Sequence, residues 1–160
     1  VQIVVVGYRL PSSLHPDFMA AALAADILGD TPAGRLHQAL VVPGKAAQVF
    51  AWTIDARDPG FVLFGAVVRK GEPIEPVTQT MIETIEGSFA KAPATEAELK
   101  RQVQQQRTAF DRALADPQAF GVGLSEFIAL GKYFLQIGYI FGRNQYIIKI
   151  MHQKNGLIML

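Results

Sequence analysis

Along this chain the spacing of apolar residues switches between a period near two and a period near 3.6. Val1 to Tyr8 is a β-branched run too short for a helix and suited to a strand covered on both faces. Pro11-Ser-Ser-Leu-His-Pro16 breaks it, and Asp17 to Leu28 carries Phe18, Ala21, Ala22, Ala25 and Leu28 on one helical stripe. Gly29 then reads as a C-terminal cap, and Thr31 before Pro32 as the N-cap of a second short helix through about Val41. Ala46 to Ile54 and Phe61 to Lys70 read with period two and are joined by Asp55-Ala-Arg-Asp-Pro-Gly60, whose Asp58-Pro59-Gly60 is the chemistry of a turn, which predicts an antiparallel hairpin.

After Gly71 the helical period returns. Ile74, Val77, Met81, Ile85 and Phe89 mark the inner face of a helix to about Ala90. Thr95 with Glu98 forms a capping box that opens a helix whose Leu99, Val103, Phe110 and Leu114 should point inward. Asp116-Pro117 restarts a last helix to about Leu130. The order strand, helix, helix, strand, strand, helix, helix, helix predicts an α+β fold, with helices packed on one face of a mainly antiparallel sheet.

Composition sharpens this picture at one end. The chain has 160 residues, half of them apolar and 18% charged, which suits one domain with a sizeable core. All 21 alanines and all 14 acidic residues precede Lys132, whereas residues 132–160 contain no Ala, Asp, Glu, Pro, Val, Ser or Thr. Residues 1–131 hold 11 of the 15 Lys and Arg and so carry −3, while the tail carries +4. The expectation is a domain over residues 1–131 followed by a compositionally foreign tail, 132–160, from another reading frame or an expression vector. Tyr133 to Gly142 is the longest uncharged stretch of that tail and is half the length a spanning helix needs, so no membrane partner is expected. The chain opens on Val1 without a recognisable leader and reads as an excised piece.

Charge and motifs exclude more chemistry than they suggest. A net charge of +1 points to no nucleic-acid partner, and the absence of cysteine removes thiolate zinc sites, iron–sulfur clusters and thiol catalysis. His15, His37 and His152 stand 22 and 115 positions apart, and neither H-E-x-x-H nor H-x-x-E-H occurs, so no metal site is expected in this chain. Gly44-Lys45 lacks two fixed positions of a phosphate loop, and Ser125 in Gly-Leu-Ser-Glu-Phe lacks the second glycine of a nucleophile elbow. Lys100, Arg101, Arg107 and Arg112, interleaved with Gln102, Gln104, Gln105 and Gln106, read as a solvated helix face. Phe50 and Trp52 share one side of their strand and could be core or could hold an extended peptide; sequence alone leaves both open.

Pro16-Asp17-Phe18 through Ile27-Leu28-Gly29-Asp30-Thr31-Pro32-Ala33-Gly34-Arg35-Leu36 resembles the signature P-D-x-x-A-x-x-x-x-x-x-I-L-G-G-x-x-x-S-R-L. That signature belongs to the non-catalytic domain of the pitrilysin/insulinase family of zinc metallopeptidases. Gly60-Phe61-Val62-Leu63-Phe64 and Thr95-Glu96-Ala97-Glu98-Leu99 follow in the family's order, and the likeness, closest to bacterial candidate zinc proteases, stops at Gly131. The resemblance implies a fold like the mitochondrial processing peptidase domain and a role as the inactive half of a substrate-enclosing chamber. It also implies a peptide substrate, a homologous catalytic domain in the same chain or a partner subunit, zinc held by that domain, and a periplasmic setting. Hydrolysis by this chain alone is not expected, and no catalytic residue is assigned to it.

The resemblance marks Gly29, Asp30, Thr31, Gly34 and Arg35 as the segment that handles the peptide. The plainer reading is that Gly29 and Thr31 cap two adjoining helices. Relatives carry an arginine and a tyrosine that stabilise the substrate oxyanion, and here Val41 and Ala47 fall at those places, neither able to donate a hydrogen bond. An interaction or scaffold module of the same fold, without peptidase activity, is the alternative function.

Overall fold

The computed structural model describes residues 1–116 together with 118, 121–123, 125 and 129. The tail 132–160 and most of the expected last helix lie outside the described residues. Three strands, β1 (Gln2–Ser12), β2 (Gln48–Ile54) and β3 (Pro59–Val68), form an antiparallel sheet in the order β1-β3-β2. The β2–β3 hairpin is the predicted one, with Ile54 paired to Phe61 at its closed end. β1 pairs along the other side of β3, from Gln2 opposite Val68 to Arg9 opposite Phe61. Among the described residues the helical elements are α1 (Phe18–Gly29), α2 (Glu75–Lys91), α3 (Glu96–Ala115) and a π-helical turn, His37–Val41. The α+β class read from the sequence is the observed one.

Alternation along each strand divides the sheet into two faces. Val4 and Leu10 of β1, Val62, Phe64, Ala66 and Val68 of β3, and Val49 of β2 are buried. They meet Phe18, Ala25 and Leu28 of α1, Leu36 and Leu40 around the π turn, and Val77, Met81 and Ile85 of α2 in one core. Leu23 and Ile27, on another side of α1, pack with Leu99 of α3 in a second cluster. α1 is therefore buried on two sides, which explains why its small alanines extend beyond a single stripe.

Three expectations need correction. β1 is an edge strand with one open face, where Ile3 and Val5 are 59% and 50% exposed, because no helix among the described residues covers that side. The second helix starts at Arg35 rather than after Thr31, since Asp30 to Gly34 closes a turn in which the Gly34 amide donates to the Asp30 carbonyl at 3.0 Å. Leu114 is half exposed, and the inward surface of α3 includes Gln102, 3% exposed, in place of a continuous apolar stripe. The Phe110 side chain lies outside the described residues.

Candidate functional site

The segment from Gly29 to Arg35 is shaped by close backbone approach at its two glycines. A Cβ on Gly29 would overlap the Ala51 Cβ, so the end of α1 can cross β2 only without a side chain there. Gly29 is the last residue of α1 and its φ is not positive, so close packing, not a left-handed cap, accounts for it. A Cβ on Gly34 would strike the backbone of Asp30 inside the turn. The Thr31–Pro32 bond is cis, Thr31 and Pro32 are exposed, and Gln38 Nε2 donates to the Pro32 carbonyl at 3.1 Å.

Both charged residues of the segment are taken up by α3 and the turn before it. Arg35 Nε donates to Glu98 Oε1 at 2.8 Å, and Nη2 donates to Oε2 at 3.0 Å, a bidentate fork. Its Nη1 and Nη2 also reach the carbonyls of Ala92 and Pro93 at 2.7 and 3.2 Å, and the guanidinium lies 4.4 Å from the Phe89 ring centre. Glu98 completes the predicted capping box: the Thr95 amide donates to Oε2 at 2.8 Å, and the Glu98 amide donates to the Thr95 hydroxyl at 3.2 Å. The Arg35 hydrogen bond, opposed by burial and reinforced by Thr95, holds the Glu98 carboxyl down at about 2.

Asp30 makes the second connection. Arg101 Nε donates to its Oδ2 at 2.7 Å and Gln105 Nε2 to its Oδ1 at 3.1 Å, with only 7% of the Asp30 side chain exposed. One turn earlier, Gln106 donates to Asp26 Oδ2 at 3.1 Å. Burial, with Asp30 adding repulsion, pushes the Asp26 carboxyl above its ordinary range against that hydrogen bond. The reading of the Arg/Gln face of α3 as solvated fails for Arg101, Gln102 and Gln106, while Gln105 donates to Asp30 from an exposed position. The missed signal was Asp26 and Asp30, four residues apart at the end of α1, which give that polar helix something to meet.

The remaining candidates stand apart from this cluster. Val41 ends the π turn, and Ala47 donates its amide to the Val67 carbonyl at 2.7 Å as β2 begins. The Ser125 hydroxyl donates back to the Gly121 carbonyl at 2.9 Å. Trp52 is 63% exposed on the open sheet face, which removes the core reading for that residue. Among the described residues no three His, Cys, Asp or Glu side chains converge on a metal position, so these residues do not fit a zinc site. His152 lies outside the described residues.

Residues 2–106 match the family model for the peptidase M16 inactive domain. The chain belongs to that family. Among solved structures it is similar to the inactive peptidase domain of a candidate zinc protease from Bordetella parapertussis, at 37% identity and a TM-score of 0.80 over 93% of this chain and 82% of that one. A candidate zinc protease from Bordetella pertussis Tohama I is also 37% identical, with a TM-score of 0.79 over 93% and 84% of the two chains. A Helicobacter pylori protease shares the fold at 18% identity and a TM-score of 0.76, over 94% of this chain and 38% of that one. No curated protein matches the chain. This M16 inactive domain thus has the family's sequence signature, its antiparallel sheet and its helices on one face, with the Gly29–Arg35 segment pinned to α3.

Proposed function

We propose that this domain is the non-catalytic half of a zinc metallopeptidase chamber, lending wall and substrate contacts to peptide hydrolysis carried out by a homologous catalytic domain. The observation that carries the reading is the match to the inactive-domain family, together with a Gly29–Arg35 segment whose charged side chains are occupied within the fold. In this reading Asp30 and Arg35 hold the segment in place, the two glycines let it lie close to the sheet, and exposed Thr31 and the neighbouring backbone meet the peptide. Zinc and the glutamate that activates water belong to the catalytic domain, where the metal lowers the pKa of its bound water. The domain ends at Gly131, and residues 132–160 are foreign to it.

Reconstitution tests the reading. The purified chain should bind no stoichiometric zinc and leave casein and short peptides intact, and adding the catalytic domain encoded beside it should restore cleavage. Cleavage by the catalytic domain that is equally fast without this chain would overturn the proposal. An in-frame match of the parent gene through Leu160 would overturn the assignment of the tail.

A further inference from the structure

Asp30 and Arg35 stand on either side of exposed Thr31 and Pro32, and one face of α3 holds both. Glu98, which takes Arg35, and Arg101, which takes Asp30, are three residues apart and so are neighbours on the helix surface. Every polar group of Asp30 is engaged. Its amide donates to the Asp26 carbonyl at 2.9 Å as the chain leaves α1, its carbonyl accepts from the Gly34 amide at 3.0 Å, and its carboxylate accepts from Arg101 and Gln105. The place of Thr31 therefore follows the place of Asp30. Arg101 Nη2 is buried without an acceptor, so the Nε contact at 2.7 Å carries the pairing.

Two departures from the family signature fall at this contact. The signature has glycine where Asp30 stands and serine where Gly34 stands. A glycine at 30 would give α3 no side chain to hold. A Cβ at 34 would overlap the Asp30 carbonyl oxygen, across the hydrogen bond that closes the turn. The departures fit each other: the first supplies the carboxylate, and the second makes room for the backbone that carries it.

We propose that Arg101 is a positioning residue which, acting through Asp30, fixes where the exposed Thr31–Pro32 stretch meets a peptide. The functional half of the inference rests on the chamber reading, and the structural half on the contacts between α3 and Asp30. With Arg101 removed, the Arg35–Glu98 fork still ties the far end of the segment, so the stretch loses its place while the domain stays folded.

Two measurements separate the halves. Amide hydrogen exchange on the full chain follows Gly34, whose amide closes the turn, with the Thr78 amide of α2, bonded to the Ile74 carbonyl at 2.9 Å, as the internal control. Arg101→Met, which keeps most of the apolar stem and loses the donors, should quicken exchange at Gly34 several-fold and leave Thr78 unchanged. Asp30→Ala should do the same, and the double variant should exchange no faster than the faster single one, because each change removes the same contact. In the pair reconstituted with the catalytic domain, Arg101→Met should raise KM for fluorescein-labelled casein several-fold with kcat unchanged. Arg101→Lys, which retains a donor for Asp30, should recover most of that loss. Unchanged Gly34 exchange in both single variants, additive effects in the double one, or a fall in kcat at constant KM would overturn the proposal. A wild-type chain that leaves casein cleavage unaltered would overturn the chamber reading and this proposal with it. A wild-type chain that speeds cleavage, beside an Arg101→Met chain with the same KM, would overturn this proposal alone.

Discussion

α2 and α3 are consecutive helices of similar length, yet they are held by opposite kinds of chemistry. α2 lays Val77, Met81 and Ile85 into the main core against the sheet. α3 reaches α1 and the Gly29–Arg35 segment through Leu99 and then through carboxylates, guanidinium groups and amides. Burying apolar area stabilises in proportion to that area and is not subject to charge screening, whereas an ion pair gains little unless both partners keep their hydrogen bonds. The contrast shows that the Gly29–Arg35 segment is positioned by directional polar contacts, which fix its place and are more easily broken.

The largest effect should come from the apolar side. Met81 is fully buried, and Met81→Ala should lower unfolding stability by roughly 2–5 kcal/mol in urea titrations, with no dependence on ionic strength. A loss below about 1 kcal/mol, or one that varies with salt, would erase the distinction between the two helices.

Next comes the fork between Arg35 and Glu98. Glu98→Gln leaves a largely buried guanidinium with a poorer partner and should cost about 2 kcal/mol at neutral pH. The folded carboxyl titrates at about 2 against 4.5 for the ordinary side chain. Its contribution is therefore complete above about pH 4.5 and declines as the pH falls through that range toward 2. Wild type and Glu98→Gln should converge in stability near pH 2 and separate again above it. Equal stability at every pH would show that the fork holds nothing.

How much of this could be read in advance follows the same division. The apolar period placed α2 to within a residue at each end, and the hairpin, the capping box and the inward Met81 were all legible, because burial leaves a repeating signature. The glycines at 29 and 34 were visible, but not their reason: an overlap with Ala51, or with the backbone of Asp30, depends on elements brought together only by folding. Arg101 and Gln106 read as solvated because a polar residue facing a polar partner looks, in one dimension, like one facing water. Val1 to Tyr8 read as covered on both sides for the converse reason. An apolar run does not say whether its second face meets the same domain or something else.

A smaller effect sharpens the boundary between the helices. Thr95 accepts from the Glu98 amide and lies at the entry to α3, so Thr95→Ala should cost about 1 kcal/mol and leave α2 untouched. Amide hydrogen exchange should then quicken in the first turn of α3 before anywhere in Glu75–Lys91. Simultaneous loss of protection in both helices would mean that they open as one unit.

The smallest expected change has the opposite sign. Burial raises the Asp26 carboxyl above its ordinary value, so ionised Asp26 opposes folding at neutral pH. A group whose pKa is raised in the folded state destabilises above that pKa, and the opposition fades as the pH falls and the carboxyl protonates. Asp26→Asn removes the charge and the repulsion from Asp30, and keeps an amide oxygen to accept from Gln106 Nε2. It should raise stability at pH 7 by less than about 1 kcal/mol, with the gain disappearing in acid. A loss of stability at pH 7 would mean that the ionised carboxylate strengthens the Gln106 contact by more than burial costs it. The polar seam of α3 would then be more strongly bound than its geometry indicates.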